Sequence, residues 1–208
     1  MKVLVLGATG GTGRLIVHEA LEKGHSVVAL VRSKANAPDL PGAQIIEGDA
    51  RSEATIASAM GGCDAVVSAL GTGMGRRKVD LLTVATRSMI TAMTRNGVRR
   101  LVCVSALGVG NSRGHGGFVF DRLFLPLLLS EAYKDKERQE ATIRASQLDW
   151  VLVRPAMLTD DPARRNARAT TDLAHVKGGK IARADVAQFV VDQLTTNTYL
   201  RQAPVLMW

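Results

Sequence analysis

The clearest chemical signal in the chain is Gly7-Ala8-Thr9-Gly10-Gly11-Thr12-Gly13, which follows the apolar run Lys2–Leu6 and opens a segment of helical period. Glycine at this spacing lets the backbone turn tightly and approach a ligand closely, while a helix N-terminus presents free N–H groups to a pyrophosphate. A plain strand-to-helix turn needs one glycine, so four within seven residues point to a dinucleotide. The spacing is GxxGxxG through Gly7, Gly10 and Gly13, with Gly11 and Gly13 forming an additional GxG. Gly7, Thr9, Gly10, Gly11, Thr12 and Gly13 are therefore the candidate phosphate contacts.

Arg32 stands after the second apolar run, where an NAD-preferring site places a carboxylate on the ribose 2′-hydroxyl. A guanidinium there would clamp a 2′-phosphate, and Ser33 and Lys34 add donors, so NADP(H) is expected in preference to NAD(H). A solvated surface arginine would leave that selectivity open. Asp49 and Ala50 follow the third run; Asp49 suits either the adenine side or a turn or helix cap. Leu70-Gly71-Thr72 brings another glycine turn to the same edge.

The elements that must position these residues alternate between short continuous apolar runs and amphipathic segments, the pattern of βαβ units on a parallel sheet. Strands are predicted at Lys2–Leu6, Ser26–Val31, Gln44–Glu47, Cys63–Leu70, Leu101–Ser105 and Asp149–Arg154, with a terminal strand at Pro204–Met207. Helices are predicted at Thr12–Lys23, Ala54–Met60, Leu81–Asn96 and Ala184–Leu194. A longer one, Phe118–Gln147, is expected to break near Pro126. Residues 108–117 hold five glycines and read as a loop, and 158–180 as a flap over the sheet edge. The fold class is α/β, a single-domain Rossmann-like doubly wound parallel sheet with helices on both faces.

Composition agrees with one globular domain spanning 1–208, its small substrate-side elements running from about 155 to 208: 208 residues, 46% hydrophobic, 22% charged, 20 glycines. Cys63 and Cys103 are expected as buried free thiols in a reducing compartment. The net charge of +8 would attract any polyanion, a phosphate-rich cofactor included. The longest basic clusters are Arg76-Arg77-Lys78 and Arg164-Arg165, and aromatics are only 4%, too few for a base-stacking platform. Neither nucleic acid nor membrane is expected as a partner: Leu123–Leu129 is far short of a span, and Val3–Leu6 is too short for a signal peptide. A cytoplasmic protein acting on a small molecule is the expectation, with no sequence mark of oligomeric state. His18, His25, His115 and His175 show no ligand spacing, so no metal is implied.

Several phrases in order carry a family likeness: Gly7-Ala8-Thr9-Gly10 with Thr12-Gly13, Leu30-Val31-Arg32, Gly48-Asp49, Leu70-Gly71-Thr72, Val104-Ser105-Ala106, Asp135-Lys136, Leu148-Asp149-Trp150 leading to Val153-Arg154-Pro155, and Leu194-Thr195-Thr196. Nearly end to end the chain resembles the atypical short-chain dehydrogenase/reductase superfamily, within it the small NAD(P)H-binding proteins similar to biliverdin-IXβ reductase/flavin reductase. That resemblance implies Ser105 beside the nicotinamide and substrate with Ala106, Lys136 at the active site, and Pro155, Ala156 and Met157 against the nicotinamide carboxamide. Typical superfamily members carry Tyr-x-x-x-Lys, but four residues after Tyr133 stands Glu137, and Lys136 is three away. Tyr133 reads as a structural tyrosine or as a neighbour of Lys136.

Without that acid, reduction of an unactivated ketone is disfavoured, whereas a flavin, quinone or conjugated acceptor spreads the charge and takes its proton from water. Leu107, Phe118, Phe120, Met157 and Leu158 are candidates to line a dry slot, and His115 is either a proton source or a solvated loop residue. The leading expectation is an NADPH-dependent reductase of such an acceptor. The alternative is an NADP(H)-binding redox sensor or scaffold without turnover, as in NmrA-like proteins. Sugar-nucleotide epimerase or dehydratase chemistry is a third, disfavoured by the missing pair and by the little chain left after Pro155.

Overall fold

The computed structural model describes residues 1–35, 37, 39–72, 80–118 and 120–208; the Arg76-Arg77-Lys78 cluster lies outside them. Its strands are β1 (Lys2–Leu6), β2 (Ser26–Val31), β3 (Gln44–Glu47), β4 (Ala65–Ser68), β5 (Arg100–Val104), β6 (Asp149–Pro155), β7 (Met157–Thr159), β8 (Arg168–Thr170), β9 (Lys180–Ala182) and β10 (Val205–Met207). The helices are α1 (Gly11–Glu22), α2 (Glu53–Ala59), α3 (Leu81–Arg95), α4 (Ser130–Arg144) and α5 (Arg183–Asp192).

Eight strands form one sheet in the order β3-β2-β1-β4-β5-β6-β10-β8, parallel except for β8, which runs antiparallel to β10. The chain reverses its direction of progress across the sheet at β1, between β2 and β4, and open α/β sheets bind ligands in the crevice at such a switch point. Strands buried on both faces need apolar residues at every position, which is why their runs are continuous. Val3, Val5, Val151 and Val153 face α1 and α5. Leu4, Leu6, Trp150 and Leu152 face the layer of α2, α3 and α4. Both cysteines are free and buried.

Helix α3 takes its N-terminal cap from another helix. Its own Asp80 supplies no side-chain cap. Instead Asp135 of α4, fully buried, accepts from the N–H of Leu82 at 2.8 Å and of Thr83 at 3.1 Å, and from the Thr83 hydroxyl. A carboxylate there satisfies orphan donors and meets the positive end of the helix dipole.

Two expectations need correction. Residues 158–180 do reach the sheet edge, but as paired strand rather than as a flap laid over it. The segment holds β8 and adjoins β9, which pairs with β7 as a two-stranded parallel sheet. It is also tied down by Asp185, which accepts from the amides of Arg164 and Arg165 and from the Trp208 indole N–H. Nor does the long helix break at Pro126. A wide-wound segment, Phe120–Leu129, runs through the proline and gives way to α4 at Ser130. Proline removes an N–H and crowds the carbonyl four residues earlier, and the wider winding accommodates both. Among the described residues, no helix is long and apolar enough to cross a membrane.

Candidate active site

The parallel register brings the ends of β1 to β6, and with them the predicted site residues, to one edge of the sheet. At the end of β1, Gly7 adopts φ +83° and packs so closely on the turn after β4 that a Cβ would lie 2.6 Å from the Ala69 carbonyl oxygen. A Cβ on Gly13 would lie 2.0 Å from the Gly7 carbonyl oxygen, so strand and helix meet at a distance only glycine permits. Within the loop, Gly10 N–H donates to Gly7 (3.1 Å) and Arg14 N–H to Gly10 (2.9 Å). The first turn of α1 has no side-chain cap and no acidic residue. Its leading amides, with exposed Thr9 and half-buried Thr12 beside them, therefore make an uncapped positive terminus suited to an anion.

Arg32 is exposed immediately after β2, on the same edge as Gly7. The turn that carries it is pinned by Glu47, whose carboxylate accepts from the Lys34 amide at 2.8 Å. Asp49 closes a local turn by accepting from the Arg51 amide at 2.9 Å, the turn role expected as one alternative, and leaves its side chain exposed. Ala50 is buried against α2 and the sheet. After β4, Leu70 and Gly71 lead to Thr72, whose Oγ1 is buried with no hydrogen-bond partner among the described residues. Buried polar atoms are rarely left orphaned. This one lies on the edge where the resemblance puts a nicotinamide cofactor, and a bound dinucleotide fits both the uncapped loop and the unpaired hydroxyl.

The second group sits at the ends of β5 and β6, laced together by Ser105 N–H to Val153 (2.7 Å) and Leu107 N–H to Pro155 (2.9 Å). Ser105 is buried, and its hydroxyl donates to Glu140 Oε1 at 2.6 Å. Glu140 in turn pairs with Arg154 through Nε (2.9 Å) and Nη2 (2.6 Å), both partners almost wholly buried. Arg154 Nη1 reaches Asn111 at 2.5 Å, and Arg144 approaches Glu140 at 3.6 Å. Asn111, Arg144 and Arg154 border a cavity of about 400 Å³ on the α4 side of the sheet.

Lys136, partly buried, directs Nζ to the Val104 carbonyl at 3.4 Å. Burial lowers its pKa, opposed by Cys103, Glu140 and Asp135 nearby. Tyr133 does not partner it. Its hydroxyl donates to the Leu107 carbonyl at 3.1 Å, and burial, helped by Asp121, pushes its pKa up to about 12. Of the two alternatives for Tyr133, this bond to the backbone fits the structural one. Ala106 and Pro155 flank this group, and Ala156 packs with Leu107 in a small apolar cluster.

Of the residues expected to line a dry slot, Leu107 is buried, but Phe118 is 77% and Met157 57% exposed, so these two form no closed wall. His115 is not simply solvated: its Nδ1 lies 3.0 Å from the Val176 carbonyl. The sequence reading missed Glu140 and Asn111, and it gave Arg154 no role. One signal was available, since Arg154 is a lone charge inside the otherwise apolar run Trp150–Pro155 and a buried charge requires a partner.

The doubly wound sheet and the glycine loop at its switch point define a Rossmann-type dinucleotide-binding domain. A family model described as NAD(P)H-binding matches residues 7–197, and the chain belongs to that family. An uncharacterized sugar epimerase of Bacillus subtilis, YhfK, is 30% identical over 201 residues, covering 93% of this chain and 88% of that protein. Among solved structures, ChuY, an anaerobillin reductase from Escherichia coli O157:H7, superposes with a TM-score of 0.85 at 25% identity, covering 100% of this chain and 97% of that one. A short-chain dehydrogenase/reductase from Veillonella parvula in complex with NADP shares the fold, with a TM-score of 0.82, 16% identity and coverage of 100% and 94%. The likeness to atypical short-chain dehydrogenase/reductases of the biliverdin-reductase-like kind holds.

Proposed function

We propose that the chain is an NADPH-dependent reductase that passes hydride to a flavin-like, quinone-like or otherwise conjugated small-molecule acceptor. The carrying observation is the state of the proton donors: Tyr133 is bound to a backbone carbonyl with its pKa pushed up to about 12, and the Ser105 proton is given to Glu140. Reduction of a plain ketone needs an acid at the developing alkoxide; a conjugated acceptor delocalises the charge and collects its proton from water. When bound, the nicotinamide supplies the hydride. The chain's own residues hold it: the loop Gly7–Gly13 at the pyrophosphate, Thr72 beneath the middle, Arg32 with Ser33 at the 2′-phosphate, Asp49 and Ala50 at the adenine side. Ser105, Ala106, Lys136, Pro155, Ala156 and Met157 form the nicotinamide end, where Ser105 and Lys136 are the catalytic candidates. Ser105, its proton committed to Glu140, offers lone pairs that orient a donor group of the acceptor or carboxamide.

The name of YhfK raises sugar epimerisation, but the same broken Tyr/Lys arrangement argues against it here. The broken Tyr/Lys arrangement is equally compatible with a reading in which the protein senses NADP(H) without turnover. Loss of NADPH absorbance with FMN, a quinone and a biliverdin as parallel acceptors separates the two. Protein-dependent oxidation supports the reductase, while binding without oxidation by any acceptor supports the sensor. Ser105→Ala is expected to lower turnover with little change in NADPH affinity. Arg32→Ala is expected to weaken NADPH far more than NADH, and an equal loss for both would remove the case for NADP(H) preference.

A further inference from the structure

Arg183 opens α5, and its side chain lies over the glycine loop: a Cβ placed on Gly11 would sit 3.1 Å from the Arg183 Nε and 3.2 Å from its Cδ. Three facts make this position unusual. A cation at a helix N-terminus faces the positive end of the dipole and is destabilised there. The acidic residue of that first turn, Asp185, is already taken by two backbone amides and the Trp208 indole. The partner Arg183 does have, Asp160 at 2.8 Å, has a side chain 89% exposed, and an ion pair to so solvated a carboxylate contributes little. Neither the helix dipole nor the solvated Asp160 pair accounts for a guanidinium here. It stands where the uncapped N-terminus of α1 and the N-terminus of α5 converge.

We propose that Arg183 is a pyrophosphate clamp, exchanging Asp160 for the cofactor's diphosphate when the dinucleotide enters the loop. This rests on the reading that Gly7–Gly13 binds NADP(H). The exchange replaces a solvated carboxylate by a doubly charged group held against two helix N-termini, the stronger partner for a planar guanidinium. It also links cofactor to substrate side, because Asp160 directly follows β7, whose Met157 belongs to the candidate nicotinamide loop. Cofactor entry would therefore release the end of β7. A side chain at Gly11 would crowd the arginine, which would have to give by a few tenths of an ångström.

The clamp touches a group common to both nicotinamide cofactors, which separates it from Arg32. In the full chain, Arg183→Ala is expected to weaken NADPH, NADH and ADP-ribose alike, on the order of 10- to 100-fold. Binding of 2′-AMP, which has no diphosphate, is expected to stay unchanged. Asp160→Asn, which removes the competing carboxylate, is expected to tighten all three diphosphate ligands several-fold. Titrations by NADPH fluorescence and by calorimetry read these directly, with thermal unfolding run in parallel. If wild type binds NADPH and Arg183→Ala binds it equally well, or loses NADPH alone and keeps NADH, the clamp is wrong and the cofactor reading stands. If wild type binds none of the dinucleotides, the cofactor reading falls and the clamp with it.

Discussion

Removing the charge of Glu140 tests the buried network behind Ser105 most directly. The carboxylate receives two hydrogen bonds from Arg154 and one from Ser105, at 2.9, 2.6 and 2.6 Å, and neither charged side chain is more than 4% exposed. Glu140→Leu leaves the guanidinium buried with Asn111 as its one side-chain acceptor among the described residues, a situation that costs about 3–5 kcal/mol. In a chain of this length that corresponds to a fall in Tm of roughly 6–20 °C. Arg154→Met leaves the carboxylate only the Ser105 hydroxyl and the more distant Arg144, and is expected to cost less than Glu140→Leu but still to destabilise. The double variant Glu140→Leu/Arg154→Met strands no charge, leaving only the neutral Ser105 hydroxyl and Asn111 amide to find new partners, and it is expected to recover most of the loss. Urea unfolding of the four proteins gives the coupling energy. A Glu140→Leu loss below about 1 kcal/mol, or additivity of the two single changes, would show that water from the adjoining cavity already solvates the pair, and the reasoning would fail.

Gly13→Ala forces a methyl to 2.0 Å from the Gly7 carbonyl oxygen, so the loop must move by more than a hydrogen bond tolerates. NADPH affinity measured by fluorescence is expected to drop by about 100-fold or more. Asp135→Ala uncaps α3 at two buried amides and should cost about 2–3 kcal/mol, a Tm lower by roughly 4–12 °C, visible by calorimetry. Cys103 and Tyr133 both have pKa values pushed up to about 12 by burial, from 9.0 and 10.0. Above pH 9 the unfolded chain sheds protons that the folded one keeps, so stability present below pH 9 falls as pH rises toward 12. Urea midpoints between pH 8 and 11.5 should show that slope, flattened in Cys103→Ala and in Tyr133→Phe; an unchanged slope would contradict the assignment.

The sheet was legible because its strands are buried on both faces and so must be apolar throughout: β1, β2 and β3 fall where the runs Lys2–Leu6, Ser26–Val31 and Gln44–Glu47 predict. The glycine loop was legible because close backbone approach admits one residue type. β7, β8 and β9 were not, since three-residue strands are too short to show a period. The partners of Ser105 and Thr83 lie 35 and 52 residues away, and nothing local encodes which carboxylate will arrive. Arg183 was hidden for the same reason. An arginine opening a helix looks like surface charge until the fold brings Gly11 beneath it.

Asp135 has a consequence for how the chain can change. A helix capped from within starts where its own first residues dictate, so altering the preceding connection shifts its register. Here the start of α3 is held by a residue 53 positions beyond Leu82, on an element that also carries Lys136 and Glu140. The start of α3 is thereby fixed by a distant part of the chain rather than by the residues just before it. Changes that spare Asp135 and Thr83 are expected to leave α3 seated, whereas loss of Asp135 frees its first turn to slide.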